Sequence, residues 1–215
     1  MIYLDIVNQV LIKLREDQVS SVTDTEYSTL IGSFVNDTKQ ETEDAWNWGV
    51  LRDTISVSTS TSNTNLTLTG TNKRTRILDI INDDQDVVLR RVNNNRFNRL
   101  LYQGATQEAA PVYWRPRGLV SGERRINLWP IPDATYTIRA ECVIPQDDLS
   151  ANMDDLILPE KMVIYGAWAR AISERGEDGG AIYDEVMGQY KNFLSDAIAI
   201  DQRDYDDEET TWMPS

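Results

Sequence analysis

The chain of 215 residues has no histidine and one cysteine, Cys142. Without histidine it lacks the usual general base near neutral pH and the commonest side-chain ligand of transition metals. A lone cysteine rules out an intramolecular disulfide and a cysteine metal cluster. In the alternating run around Cys142 it reads as a small buried apolar residue. Long apolar runs are also missing: the stretch from Met162 to Ala169 is broken by Gly166, far short of the roughly 20 residues a spanning helix needs. Asp5 stands early, with no basic segment and apolar run around it, so a secretory signal is not expected and synthesis in a cytoplasm is. Phosphate loop, dinucleotide glycine fingerprint and nucleophile elbow are all absent. The expectation is a protein without cofactor, metal site or small-molecule substrate.

Hydrophobic residues at 40% and charged residues at 26% are ordinary for a folded chain. Charge is unevenly spread. The total is −14, yet residues 72–125 hold 11 Lys and Arg against 6 Asp and Glu, while residues 126–215 hold 6 against 19. An acidic chain is a poor default binder of a phosphate backbone, but a basic middle and acidic flanks can attract each other between copies.

Leu4, Val7, Leu11 and Leu14 recur at helical steps and predict a helix over 2–15. Asp24 is placed to cap a second helix with the stripe Tyr27, Leu30, Ile31, Phe34, Val35, Ala45 and Trp46, interrupted by Thr38 and Thr42. From Leu51 the period becomes two. Ile55 and Val57, then Leu66 and Leu68, predict a hairpin with a polar, mobile tip over 58–65. Strands follow at 77–81, 87–92, 112–115, 125–129 and 135–143, with a short helix over 95–103 carrying Phe97, Leu100 and Leu101. Pro159 opens a third helix. After the glycines at 176, 179 and 180, Tyr183, Val186, Met187, Tyr190, Leu194 and Ala197 mark a fourth, to about residue 200.

This order predicts an α+β fold. Helices of 1–50 and 156–201 form an antiparallel bundle, and residues 51–146 form an inserted, mainly antiparallel sandwich or barrel-like domain. Residues 147–155 make an acidic connecting loop and 202–215 an extended acidic tail.

Three stretches together carry a resemblance. They are the opening LDIVNQVLIKLRE with Trp46-Asn47-Trp48 closing the next helix, the central RRINLWPIPDATYTIRAECVIP with its Leu128-Trp129-Pro130 and Pro132-Asp133, and LPEKMVIYGAWARAISERG ahead of the last helix. In this order they resemble the head-to-tail adaptor family of short-tailed bacteriophages, which includes tail tubular protein A. The resemblance implies a non-enzymatic virion protein at the head-tail junction. It would form a homo-dodecameric ring under the portal protein, with the tail nozzle or tail fibre proteins below and genomic DNA passing through the lumen without sequence-specific binding. Related adaptors often reach the portal with their carboxy-terminal segment, which makes Tyr205, Trp212 and Met213 candidate portal contacts.

The arginines Arg90, Arg91, Arg96, Arg99, Arg115, Arg117, Arg124 and Arg125 are candidates for a basic inter-subunit face meeting acidic faces of the next copy. The interleaved Phe97, Tyr102, Tyr113 and Trp114 offer the contrasting picture of a nucleic-acid stacking surface. Trp46, Trp48, Trp129 and Trp168 read as packing residues. The pairs Asp83-Asp84, Asp147-Asp148 and Asp154-Asp155 fit solvated turns better than carboxylate hydrolysis or calcium binding, having no EF-hand spacing. A competing function is a tail-associated binding module, a spike or carbohydrate-binding β-domain with helical attachment.

Overall fold

The computed structural model describes residues 1–103, 107–176 and 180–204. The fold is α+β, with five α-helices and two largely antiparallel sheets among the described residues. The chain divides into two compact units. One takes Met1–Val50 and the described residues from Gln146 onward, the other Leu51–Pro145.

The first unit contains α1 (Tyr3–Lys13), α2 (Glu26–Ala45), α4 (Glu160–Arg175) and α5 (Ala181–Asp204). Asp5 in the first turn and Lys13 in the last suit the dipole of α1, which buries Tyr3, Ile6, Val7, Val10 and Leu11. This face is turned slightly from the expected one, leaving Leu4 and Leu14 at its margins, half-buried. The cap of α2 is Thr25 rather than Asp24. The Thr25 hydroxyl accepts from the Ser28 amide at 2.9 Å, and the Ser28 hydroxyl accepts from the Thr25 amide at 3.1 Å. Asp24 is already committed to the preceding turn, where it accepts from the amides of Ser20 and Ser21 at 2.8 Å each.

Helix α4 buries Met162, Val163, Ile164, Gly166, Ala167, Ala169, Ala171 and Ile172, so it is apolar almost all round, as a helix with neighbours on several sides must be. Those neighbours are α1, α2 and α5. Close approach is made possible by Gly166: a Cβ there would lie 2.4 Å from Thr38 Cγ2 on α2 and 3.2 Å from the Tyr190 ring on α5. Gly176, at φ +63°, ends α4 in the left-handed conformation. The last helix keeps Val186 and Tyr190 buried and runs to Asp204, so the expected tail from 202 begins as helix.

The return segment after Gln146 is tied to α2. Asn36 donates to the Leu149 carbonyl at 3.0 Å and accepts from its amide at 2.9 Å. Lys39 Nζ donates to the Gln146 carbonyl at 2.7 Å, and Glu43 accepts from the Gln146 amide at 3.1 Å.

In the second unit one sheet has the order β1-β8-β3-β4, with β1 (Arg52–Ser58), β3 (Arg76–Asn82), β4 (Val87–Val88) and β8 (Thr137–Val143). The other has the order β2-β7-β6-β5, with β2 (Asn65–Leu68), β5 (Arg90–Arg91), β6 (Tyr113–Val120) and β7 (Glu123–Trp129). Both contribute to a single apolar cluster that includes Leu66, Leu68, Ile80, Leu89, Trp114, Ile126, Leu128, Ile138, Ala140 and Cys142. The alternation expected in β8 is present, with Ile138, Ala140 and Cys142 fully buried.

The expected hairpin of 55–57 with 66–68 does not form. β1 pairs with β8 in one sheet and β2 pairs with β7 in the other. The polar stretch between them crosses from sheet to sheet and is anchored on the way. Thr59 donates to the Tyr136 carbonyl at 2.9 Å, Ser62 to the Pro132 carbonyl at 2.8 Å, and the Thr64 carbonyl accepts from Leu128 at 2.8 Å. The expected strand 87–92 likewise splits. β4 pairs with β3, β5 runs parallel to β6, and Leu89 is buried at the switch between them.

Between β6 and β7, Ser121 and Gly122 have φ of +52° and +88°, as the two central residues of a type I′ turn require. α3 (Asn94–Gln103) begins after Asn93, whose side chain accepts from the Arg96 amide at 2.8 Å and so caps it.

Candidate interaction surfaces

The arginines predicted to form one basic face fall into two groups. Arg115 and Arg117 on β6, Arg90 and Arg91 on β5 and Arg96 and Arg99 on α3 lie on adjoining elements. All of these but Arg115 are exposed. Arg124 and Arg125 sit on β7 beside the turn and are half-buried. Arg124 is turned to another task, donating from Nε to the Thr75 carbonyl at 2.9 Å while its amide donates to Thr71 at 2.7 Å. Arg125 faces Gly118 across the strand pair.

Arg115 is 8% exposed. Its Nε donates to Asn127 Oδ1 at 3.3 Å and its Nη1 to Asn98 Oδ1 at 3.0 Å, with Asn94 Oδ1 at 3.5 Å. Arg117 Nη1 donates to the same Asn127 oxygen at 3.2 Å. Asn127 is itself held by a bond from its Nδ2 to Asn65 Oδ1 at 2.8 Å. Two cations are thus fastened by neutral amides. Burial, and next the neighbouring charge of Arg117, push the Arg115 guanidinium below its ordinary pKa. Asn94, Asn98, Arg115, Pro116 and Arg117 line an open cavity of about 300 Å³.

The aromatic residues of this region are largely spoken for. Phe97 is buried with the Arg115 guanidinium 4.2 Å above its ring, and Trp114 is buried with Arg91 at 5.6 Å. Arg96 lies 5.3 Å over Tyr113. Only Tyr102 of the four stands 77% exposed, so the rings do not form the row of open faces on which bases stack.

A second cavity, of about 620 Å³, lies in the helical unit. Trp48, Val50, Leu156 to Met162, Phe193, Ala197 and Ile200 supply its walls, and Asp196 and Asp201 its carboxylates. Asp201 is engaged there, accepting from the Trp46 indole at 2.9 Å and from the Gly49 amide at 3.1 Å. Trp48 is buried, with its indole donating to the Thr42 carbonyl at 2.7 Å, while Trp46, Trp129 and Trp168 are half-buried.

The acidic pairs act locally. Asp83 meets Arg139 at 3.2 Å, Asp84 accepts from the Thr137 amide at 2.6 Å, and Asp148 accepts from Gln40 at 2.7 Å. Asp154 accepts from the amides of Ser150 and Ala151 at 2.7 Å, which hold its carboxyl below the usual range. Asp147 and Asp155 are exposed. Among the described residues no group of three metal-ligating side chains comes together. The Cys142 thiol is buried and its pKa pushed up to about 11 by that burial, with the charges of Glu141 and Asp53 adding to it, so it is a poor nucleophile. Also among the described residues, no helix is long and apolar enough to cross a membrane. Tyr205, Trp212 and Met213 lie outside the described residues.

The family model for the SU10 adaptor protein matches residues 1–214. The chain belongs to the SU10 adaptor family. These are phage head-tail adaptors, and the resemblance read from the three sequence stretches is met at that level. No curated protein matches the adaptor. What the sequence reading missed in the adaptor is the amide partners of its buried arginine. The Asn run at 93–95 with Asn98 was the available signal, since such a run beside arginines at helical spacing offers them neutral amide oxygens as acceptors.

Proposed function

We propose that the chain is a non-enzymatic ring subunit at the virion's head-tail junction, assembled in the host cytoplasm. Copies tile into a dodecamer beneath the portal, receive the tail nozzle or tail fibre proteins below, and let the genome pass through the lumen. In this reading the helices of 1–50 and 156–201 act as one antiparallel bundle carrying a strand-built sandwich over 51–146. Tyr205, Trp212 and Met213 dock on the portal, and a surplus of carboxylates keeps the channel wall from holding DNA.

The observation that carries the reading, beside a family match spanning the chain, is the charge on the β5, β6 and α3 surface. Arg90, Arg91, Arg96, Arg99 and Arg117 make no ion pair with a carboxylate among the described residues. Such cations keep their charge without a carboxylate of their own and are available to the acidic face of a neighbouring copy. Across a closed ring the same two faces meet at each junction, so the attraction is repeated and is screened by salt within about 8–10 Å.

Sedimentation and electron microscopy of the chain mixed with its portal protein test this. Rings should form at low salt and weaken as salt rises. A monomer that never joins the portal would remove the reading, and rings indifferent to salt would remove charge pairing as their cause.

A further inference from the structure

We infer that the cavity between α3 and β6 is a binding site for a carboxylate, presented as an Asp or Glu side chain by a partner protein. Apart from Pro116, each residue that lines it carries side-chain N–H donors. The Asn94 and Asn98 carbonyl oxygens are taken up by Arg115, which leaves their amide NH₂ groups to donate. Arg115 spends Nε and Nη1 on asparagines and Arg117 spends Nη1. Nη2 of Arg115 and Nε and Nη2 of Arg117 have no acceptor among the described residues. Two guanidiniums sharing one amide oxygen, one of them nine-tenths buried, hold two positive charges with no negative one beside them. A buried charge is ordinarily paired, and here the missing partner must come from outside. A carboxylate suits the place because its two oxygens match the planar fork of a guanidinium.

A phosphodiester fits less well. Affinity for a nucleic-acid backbone comes from many cations along an open track; Arg90, Arg91, Arg96 and Arg99 lie on the adjoining elements, but the cations that line the recess of about 300 Å³ are Arg115 and Arg117, on a chain of net charge −14. The neighbouring rings of Phe97 and Trp114 are already covered by Arg115 and Arg91.

The inference rests on the proposed interface only for the kind of partner, and its test needs no ring. A short fluorescein-labelled polyglutamate peptide is titrated with the full chain and followed by anisotropy, beside a labelled DNA duplex. The wild type should bind the peptide more tightly than the duplex. Arg117→Gln, at an exposed position, should weaken the peptide by about tenfold or more, as loss of a charge-assisted contact does. Asn98→Asp places a carboxylate in the recess from within. It should abolish peptide binding and raise the melting temperature, a gain that misfolding cannot imitate. Tighter binding of the duplex, equal peptide affinity in all three proteins, or a lower melting temperature for Asn98→Asp would each overturn the inference. Peptide binding by a chain that never assembles would spare it while removing the ring, and rings without peptide binding would do the reverse.

Discussion

Lys39 and Glu43 make a buried ion pair at 3.2 Å, both side chains fully excluded from solvent. The pair holds both the carbonyl and the amide of Gln146, where the chain re-enters the helical unit. Glu43 supplies the carboxylate beside the buried Lys39 ammonium, so removing it leaves that ammonium buried against the neutral Gln146 carbonyl. Lys39→Met or Glu43→Leu alone should cost about 3–5 kcal/mol, and the double replacement markedly less than the sum. Urea unfolding of the three variants checks this, and simple additivity would show that the two charges do not depend on each other. Exposed carboxylates act differently. Asp24 is held below its ordinary pKa first by the Ser20 side chain and then by the Ser21 amide, and Asp154 by the amides of Ser150 and Ala151. A depressed folded pKa gives stability that is complete above the unfolded value, about 3.9 for Asp, and is lost as pH falls through the folded one. The melting temperature should therefore fall on acidification below about pH 4, and less steeply for the double variant Asp24→Asn, Asp154→Asn.

Among the elements, the contact of α4 with α2 and α5 turns on one missing methyl. Gly166→Ala would set a Cβ 2.4 Å from Thr38 Cγ2, and the overpacking should cost about 1–3 kcal/mol. Adding Thr38→Ser removes that methyl while keeping the hydroxyl that accepts from Arg170 at 2.9 Å and donates to the Phe34 carbonyl at 2.7 Å. The double variant should recover most of the loss in a thermal melt, and no recovery would place the clash elsewhere. The same helix pair explains what the sequence could and could not disclose. The existence and order of the helices were legible because each has a 3.6-residue apolar period or a clear stop such as Gly176. The face α2 buries was legible at Ile31 and Val35 and not beyond them. It also takes in Ser28, Thr38, Lys39, Thr42 and Glu43, polar residues whose burial depends on partners far along the chain. The strands of β7 and β8 were legible from their alternation. That β1 and β2 belong to different sheets was not, because both show the period of two and only the carbonyls of Pro132 and Tyr136, distant in sequence, decide where the polar connection goes.

For the whole molecule, the basic surface divides into cations that serve the fold and cations that do not. Arg115 secures Asn98, Asn127 and the ring of Phe97, and Arg124 the Thr71–Thr75 turn. Neither role was legible, since arginines at β-strand or helical spacing look alike until amides and carbonyls are seen beside them. Arg90 and Arg99 are exposed and have no such duties, so reversing their charge tests assembly apart from folding. Arg90→Glu with Arg99→Glu should change stability by no more than about 0.5 kcal/mol for each replacement. In the proposed ring, however, the new carboxylates would face the acidic surface of the adjoining copy, and like charges across an interface repel it. Ring formation should then be lost at low salt and partly return as salt screens the repulsion, the opposite of the wild-type trend. Sedimentation at two salt concentrations reads both trends together, and rings of the double variant as stable as the wild type at low salt would move the inter-subunit contact away from β5 and α3.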